Sequence, residues 1–259
     1  MLTLLFALCL SQSSLAASTF PRDDSFQCPH PDPRSIRDIT WSCIATIFAC
    51  TWISVHPNIP APGQKGWLIL QRVEYMLWTA FAPEIMLFWA IKQWRGARTV
   101  AQTYKKRGWT VTHGHFLQMG GFMLYEDGKP QGVLSLTLLN SLLEEGCIEF
   151  PTITREEILD RSKSDALAKC VAVGQLLWFV VQAVARLSCH LPIAELELIT
   201  LSFCVFTAFL YFFWWEKPLN VQTTVPVNIL RPTNPLSSSS FQTEFGKSSV
   251  TYENGKSSK

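Results

Sequence analysis

The chain has 259 residues, with 22 Lys+Arg against 20 Asp+Glu and a formal net charge of +2. Only 16% of it is charged while 48% is hydrophobic, against roughly 25% charged in ordinary soluble domains. The near-neutral balance offers nucleic acid no broad electrostatic footprint, and long apolar runs argue against both a disordered chain and a single soluble globule. The composition is that of a membrane protein, and the lipid bilayer is the first partner expected.

Residues 1–16 have a signal-peptide shape, with small residues Ser14 and Ala16 before Ala17, although no Lys or Arg precedes the apolar core. Residues 17–38 are polar, with three Pro between Cys28 and Arg34, and read as a loop. Four apolar stretches follow at 39–55, 75–94, 170–187 and 196–215. Each approaches the roughly 20 apolar residues that a transmembrane helix needs, the first least so. Trp41, Trp94, Trp214 and Trp215 stand near their ends, where an amphipathic ring suits the headgroup layer.

Between the second and third stretches lies a loop, 95–169. In it, 115–125 has β-leaning residues, and Asp127-Gly128-Lys129-Pro130 signals a turn. Leu134, Leu138 and Leu142 have helical spacing ahead of Gly146. Residues 147–150 have the length of a short strand. Thr154 stands three residues before Glu157, a capping-box pattern whose helix is expected to run on toward the third stretch. From residue 216 to 259 the chain is read as a flexible, disordered tail, rich in Ser, Thr, Pro and Asn from Asn220 onward. The expected fold class is therefore mainly α: a helical transmembrane protein of three or four spans, with a small α+β loop subdomain and a disordered C-terminal tail.

Nine Lys and Arg flank the inner ends of 95–169, including Lys105, Lys106 and Arg107. The positive-inside rule places this loop in the cytosol. A cleaved signal peptide followed by two crossings would place it outside. Either the N-terminal run is no signal, or 39–55 does not cross, or the charge bias is overruled; the charges favour the cytosolic loop. The eight cysteines form neither a CxxC pair nor a Cys/His ligand array and read mostly as small apolar residues.

The segments RSIRDITWSC, FAPEIMLFWAIKQW, GWTVTHGHFLQMGGF, IEFPTITREEILDRSKSDALAK, LPIAELELITLSF and WWEKPLNV together resemble a family of fungal multi-pass membrane proteins with no assigned activity. The resemblance covers about Arg34 to Val221. It implies a helical membrane protein with a signal-like N-terminus and no particular chemistry. Members of that family continue past the last phrase into further apolar spans, so the resemblance implies a shortened version.

Glu84, after Pro83, falls in the middle of 75–94, where an ionisable group is costly and is a functional candidate by default. Gln182 matches it in depth if the spans are antiparallel, and Arg186 lies further along or reaches the headgroup layer. Lys105, Lys106 and Arg107 are candidate contacts for anionic lipid headgroups. His113-Gly114-His115 offers two imidazoles but no third ligand, and neither GxGxxG, GxxxxGK[ST] nor GxSxG occurs. No cofactor, metal or catalytic residue is therefore expected. The function expected is a non-enzymatic membrane scaffold or receptor-like component, with a protein partner bound through 95–169. A transporter or channel fragment using Glu84 and a membrane-embedded lipid enzyme are the alternatives.

Overall fold

In the computed structural model the described residues are 35–59, 67–162, 165–219, 221 and 223–230. The expected signal peptide, most of the polar segment 17–38 and the tail beyond 230 lie outside them. In chain order the α-helices are α1 (Ile36–Ile53), α2 (Trp67–Phe81), α3 (Pro83–Thr103), α4 (Val111–Gln118), α5 (Leu136–Glu144), α6 (Arg155–Asp160), α7 (Asp165–Ser188) and α8 (Glu195–Trp214). The strands are β1 (Phe122–Glu126), β2 (Lys129–Val133) and β3 (Val225–Asn228), and a single 3₁₀ turn covers Lys105–Arg107. The described residues divide into two units: a helical one within 1–57, 64–92 and 164–215, and an α+β one within 58–63, 93–163 and 216–259.

In the helical unit α1 packs against α2, α7 and α8. Ser35 starts it by a reciprocal cap: its hydroxyl accepts from Asp38 N–H at 3.2 Å, and Asp38 Oδ2 accepts from Ser35 N–H at 3.2 Å. Many of the buried side chains are small or polar, among them Cys43, Thr46, Cys50 and Thr51 of α1 and Thr200 and Cys204 of α8, beside a buried apolar group that includes Met86, Phe179, Leu210 and Trp214. Thr46, Thr51 and Thr200 donate their hydroxyls to carbonyls four residues back, and buried Gln175 of α7 donates to Thr46 Oγ1 of α1 at 3.1 Å. Many large apolar side chains face outward, as at Ile44, Phe48, Phe88, Val181, Phe209 and Phe212.

The four expected spans fare unequally. α8 is the one helix among the described residues long and apolar enough to cross a membrane, and its apolar window is only 33% buried. The apolar part of α7, Val173–Ser188, is shorter. The stretch 75–94 is not one helix: α2 stops at Phe81 and α3 starts at Pro83, because proline disfavours helical geometry in the residue before it and lacks the N–H of a helix interior. α3 then runs past Lys92, Arg95 and Arg98, and α1 opens on Arg37 and Asp38.

The α+β unit is built on a three-stranded sheet, order β2-β1-β3, in which β1 is antiparallel to β2 and parallel to β3. Asp127 (φ 48°) and Gly128 (φ 76°) form the two-residue hairpin turn between β1 and β2, the positive-φ pair that matches strand twist. Phe116, Phe122, Leu124, Leu134, Leu139 and Ile158 are 0% exposed; burying each is worth about 1.5–3 kcal/mol. Thr154 caps α6 as expected, bonding Glu157 N–H at 3.2 Å while Glu157 Oε2 accepts from Thr154 N–H at 2.8 Å. That helix ends at Asp160, and residues 147–150 contribute a lone bridge, Ile148 to Ile229, in place of a strand.

Two further expectations change. Part of 115–125 is helical: α4 runs from 111 to 118 and ends at Gly120 (φ 81°) and Gly121, whose N–H returns to Phe116 C=O at 2.8 Å. Nor is 216–230 a flexible tail. Lys217, Leu219 and Val221 are buried, and β3 completes the free edge of β1. The alternation of Val225 and Val227 supplied the strand, while Pro226 obscured it.

Gly114 of α4 lies hard against α3, for a Cβ there would stand 2.3 Å from the Ala97 carbonyl oxygen. Backbone cannot yield as a flexible side chain does, so Gly114→Ala is expected to cost about 1–3 kcal/mol. Thermal melts of the detergent-purified chain check this against Gly174→Ala, whose methyl meets nothing within 4 Å; equal melting temperatures for the two variants would refute it.

Candidate functional site

The residues nominated from the sequence are scattered. Glu84 is exposed in the first turn of α3, where the positive end of the helix dipole favours a carboxylate. Gln182 is half-buried on α7. Arg186 donates through Nη2 to the Pro192 carbonyl at 2.6 Å, and its Nε lies 3.9 Å from Glu197 Oε2, so it joins the end of α7 to the start of α8. Glu197 also caps α8, accepting from Ala194 N–H at 2.9 Å. Among the described residues, neither Glu84 nor Gln182 bonds to Arg186. Lys105, Lys106 and Arg107 are exposed, and the Arg107 guanidinium stacks over the Phe150 ring at 4.5 Å. Cys189 departs from the small-apolar reading, being disulfide-bonded, whereas Cys43, Cys50, Cys147, Cys170 and Cys204 form no disulfide.

The two histidines of His113-Gly114-His115 do different things. His113 Nδ1 accepts from Thr110 N–H at 3.1 Å, so the ring hydrogen sits on Nε2, which donates to the Ile153 carbonyl at 2.9 Å. Both nitrogens are thus committed to the backbone, and burial lowers the pKa. His115 is 1% exposed, and among the described residues neither of its ring nitrogens has a hydrogen-bond partner. Burial, reinforced by the Lys217 charge, pushes its pKa down to about 3. Residues two apart on a helix do not face each other, so the pair does not converge on a metal.

Lys217 went unrecognised in the sequence, where the Trp-Trp-Glu-Lys-Pro phrase looks like an interfacial anchor. It is 1% exposed and donates to Gln93 Oε1 at 3.0 Å. Burial pushes its pKa down to about 7. Lys217, Gln93 and His115 form a buried polar group that ties residues following α8 to α3 and α4.

A slot of about 490 Å³ opens elsewhere in the α+β unit, between β3 and residues 149–153. Next to its lining residues Glu149 and Asn228 in the chain is the Ile148–Ile229 bridge, beside which Leu230 N–H donates to the Cys147 carbonyl at 2.7 Å. Arg161, another lining residue, donates through Nη1 to Thr223 Oγ1 at 2.9 Å. Phe150, Ile153 and Val227 give it apolar walls, and Glu149 and Glu157 bring carboxylates. Its volume falls in the range of small-ligand and peptide pockets. No local sequence signal announces it, since its walls lie some 75 residues apart.

Residues 95–234 match the profile of a family described as a family of unknown function, DUF8562. No curated protein and no solved structure gives a significant match.

Proposed function

The chain belongs to the DUF8562 family of unknown function, and on that premise we propose that it is an integral membrane scaffold: a helical unit in the bilayer carrying a non-enzymatic α+β binding module in the cytosol. The observation that carries this reading is the inverted polarity of the helical unit. Among the described residues the exposed large hydrophobics belong to it almost without exception, Leu230 being the one in the α+β unit, while Thr, Cys and Gln share its interior with a few large apolar side chains such as Leu210 and Trp214. Small residues and interhelical side-chain hydrogen bonds such as Gln175–Thr46 are how helices associate in lipid, where apolar surface gains nothing by turning inward.

The residues at the two ends of α8 support a sidedness. Cys189 precedes it and is disulfide-bonded, which suits an oxidising compartment. Residues 216–230 follow it directly and belong to the α+β unit, which also carries Lys105, Lys106 and Arg107. Those cations suit anionic headgroups on the cytosolic leaflet.

In sealed microsomes, a protease tag inserted at Asp127-Gly128 is expected to be cleaved from outside, and the chain to stay in the pellet after alkaline carbonate. Release by carbonate would refute the membrane reading; a protected tag would refute the cytosolic placement.

A further inference from the structure

We propose that the slot beside β3 binds an extended peptide segment bearing a basic side chain, inserted as an extra strand between β3 and residues 149–153. This deepens the reading of the α+β unit as a binding module and rests on it. β3 is an edge strand bonded to β1 on one side. Val225 and Ile229 donate their N–H groups to the Gly121 and Tyr125 carbonyls at 2.7 and 2.9 Å. Backbone groups alternate along a strand, so Pro226 and Asn228 turn theirs toward the slot. Pro226 offers a carbonyl without an N–H, which blunts pairing between copies of the chain, and Asn228 is the amide left to bond a guest strand.

The other wall leaves β3 at an antiparallel bridge. Residues 148 and 229 are bridged antiparallel, and past that bridge the two segments part to leave the slot. A fork between antiparallel segments is the space that one inserted strand fills. At about 3.3 Å per residue, the four residues of β3 accommodate about four residues of guest. Leu230, 44% exposed, supplies apolar surface at the bridged end.

Charge selects the guest. Of the ionised side chains lining the slot, Glu149 and Glu157 are carboxylates and exposed, and the cation, Arg161, already donates to Thr223. The excess is negative, so a Lys or Arg side chain on the guest is favoured over Glu.

The test uses the full chain in detergent and three fluorescein-labelled hexapeptides of alternating Val with Lys, Gln or Glu, read by fluorescence anisotropy. The Lys peptide is expected to bind at least tenfold more tightly than the Glu peptide, and Glu149→Lys to erase that preference. Asn228→Pro removes the outward N–H in the register that Pro226 already occupies, so it is expected to abolish binding with the thermal transition unchanged. Equal affinity for the Lys and Glu peptides, no binding of any of them, or full binding by a folded Asn228→Pro variant would overturn the proposal. Carbonate extraction and tag cleavage do not depend on the slot, so the two readings fail separately.

Discussion

The wild-type protein is expected to gain about 5 kcal/mol of stability between pH 7 and pH 10.5, and Lys217→Met to remove that rise. Below pH 7 the amine is charged in the folded and unfolded chains alike, and the folded chain bears the full cost of holding that charge away from water. Between about 7 and 10.5 the unfolded chain still binds a proton that the folded chain has released. Stability therefore increases with pH across that window and is lost again as pH falls through it. Met keeps the length of the side chain and drops the charge, at the expense of the bond to Gln93, worth about 1 kcal/mol. His115 behaves the same way at lower pH: its contribution is complete above 6.5 and is lost toward 3. Unfolding of the detergent-purified chain, followed by tryptophan fluorescence from pH 6 to 10.5, checks the lysine. Wild-type and Lys217→Met curves that stay parallel would show that the amine is not held dry.

Trp109→Ala should cost about 3–5 kcal/mol. The ring is 4% exposed and is the hub of the aromatic cluster in the α+β unit. Its centroid lies 4.8 Å from Phe150, 5.2 Å from Tyr104, 5.6 Å from Phe122 and 5.7 Å from His113, the last two in parallel stacks. Its Nε1 donates to the Pro151 carbonyl at 3.3 Å. Aromatic pairs add about 0.5–1.5 kcal/mol each beyond area burial. Truncation removes several at once and releases Phe150 and Pro151, which line the slot. Trp109→Phe keeps most of the stacking and loses the hydrogen bond, so its cost should be much smaller. Limited proteolysis is the second readout: cleavage within 148–153 should accelerate in Trp109→Ala and not in Trp109→Phe. A melting temperature for Trp109→Ala within a degree of wild type would contradict the hub role.

Much of the local structure was legible because its causes lie within a few residues. The Asp127-Gly128 turn, the Thr154–Glu157 cap, the Leu138–Leu142 face of α5 and the apolar length of α8 are each written in short windows. The break at Ala82-Pro83 was legible too, since proline enforces it wherever it falls. The break puts Glu84 in the first turn of α3 and not in the middle of one continuous helix.

By itself, then, the sequence determined the helical character, the apolar runs, the caps, the hairpin and the basic clustering, all consequences of chemistry among near neighbours. Only the tertiary structure decided that β3 pairs with β1 across about 100 residues, that Lys217 is buried, that Arg186 is joined to the start of α8, and that residues 149–153 part from β3 to leave a slot. The physical reason is that burial and strand pairing are decided by which distant surfaces meet. A Val-Pro-Val-Asn segment or a lysine beside two tryptophans carries no local mark of the partner it will find.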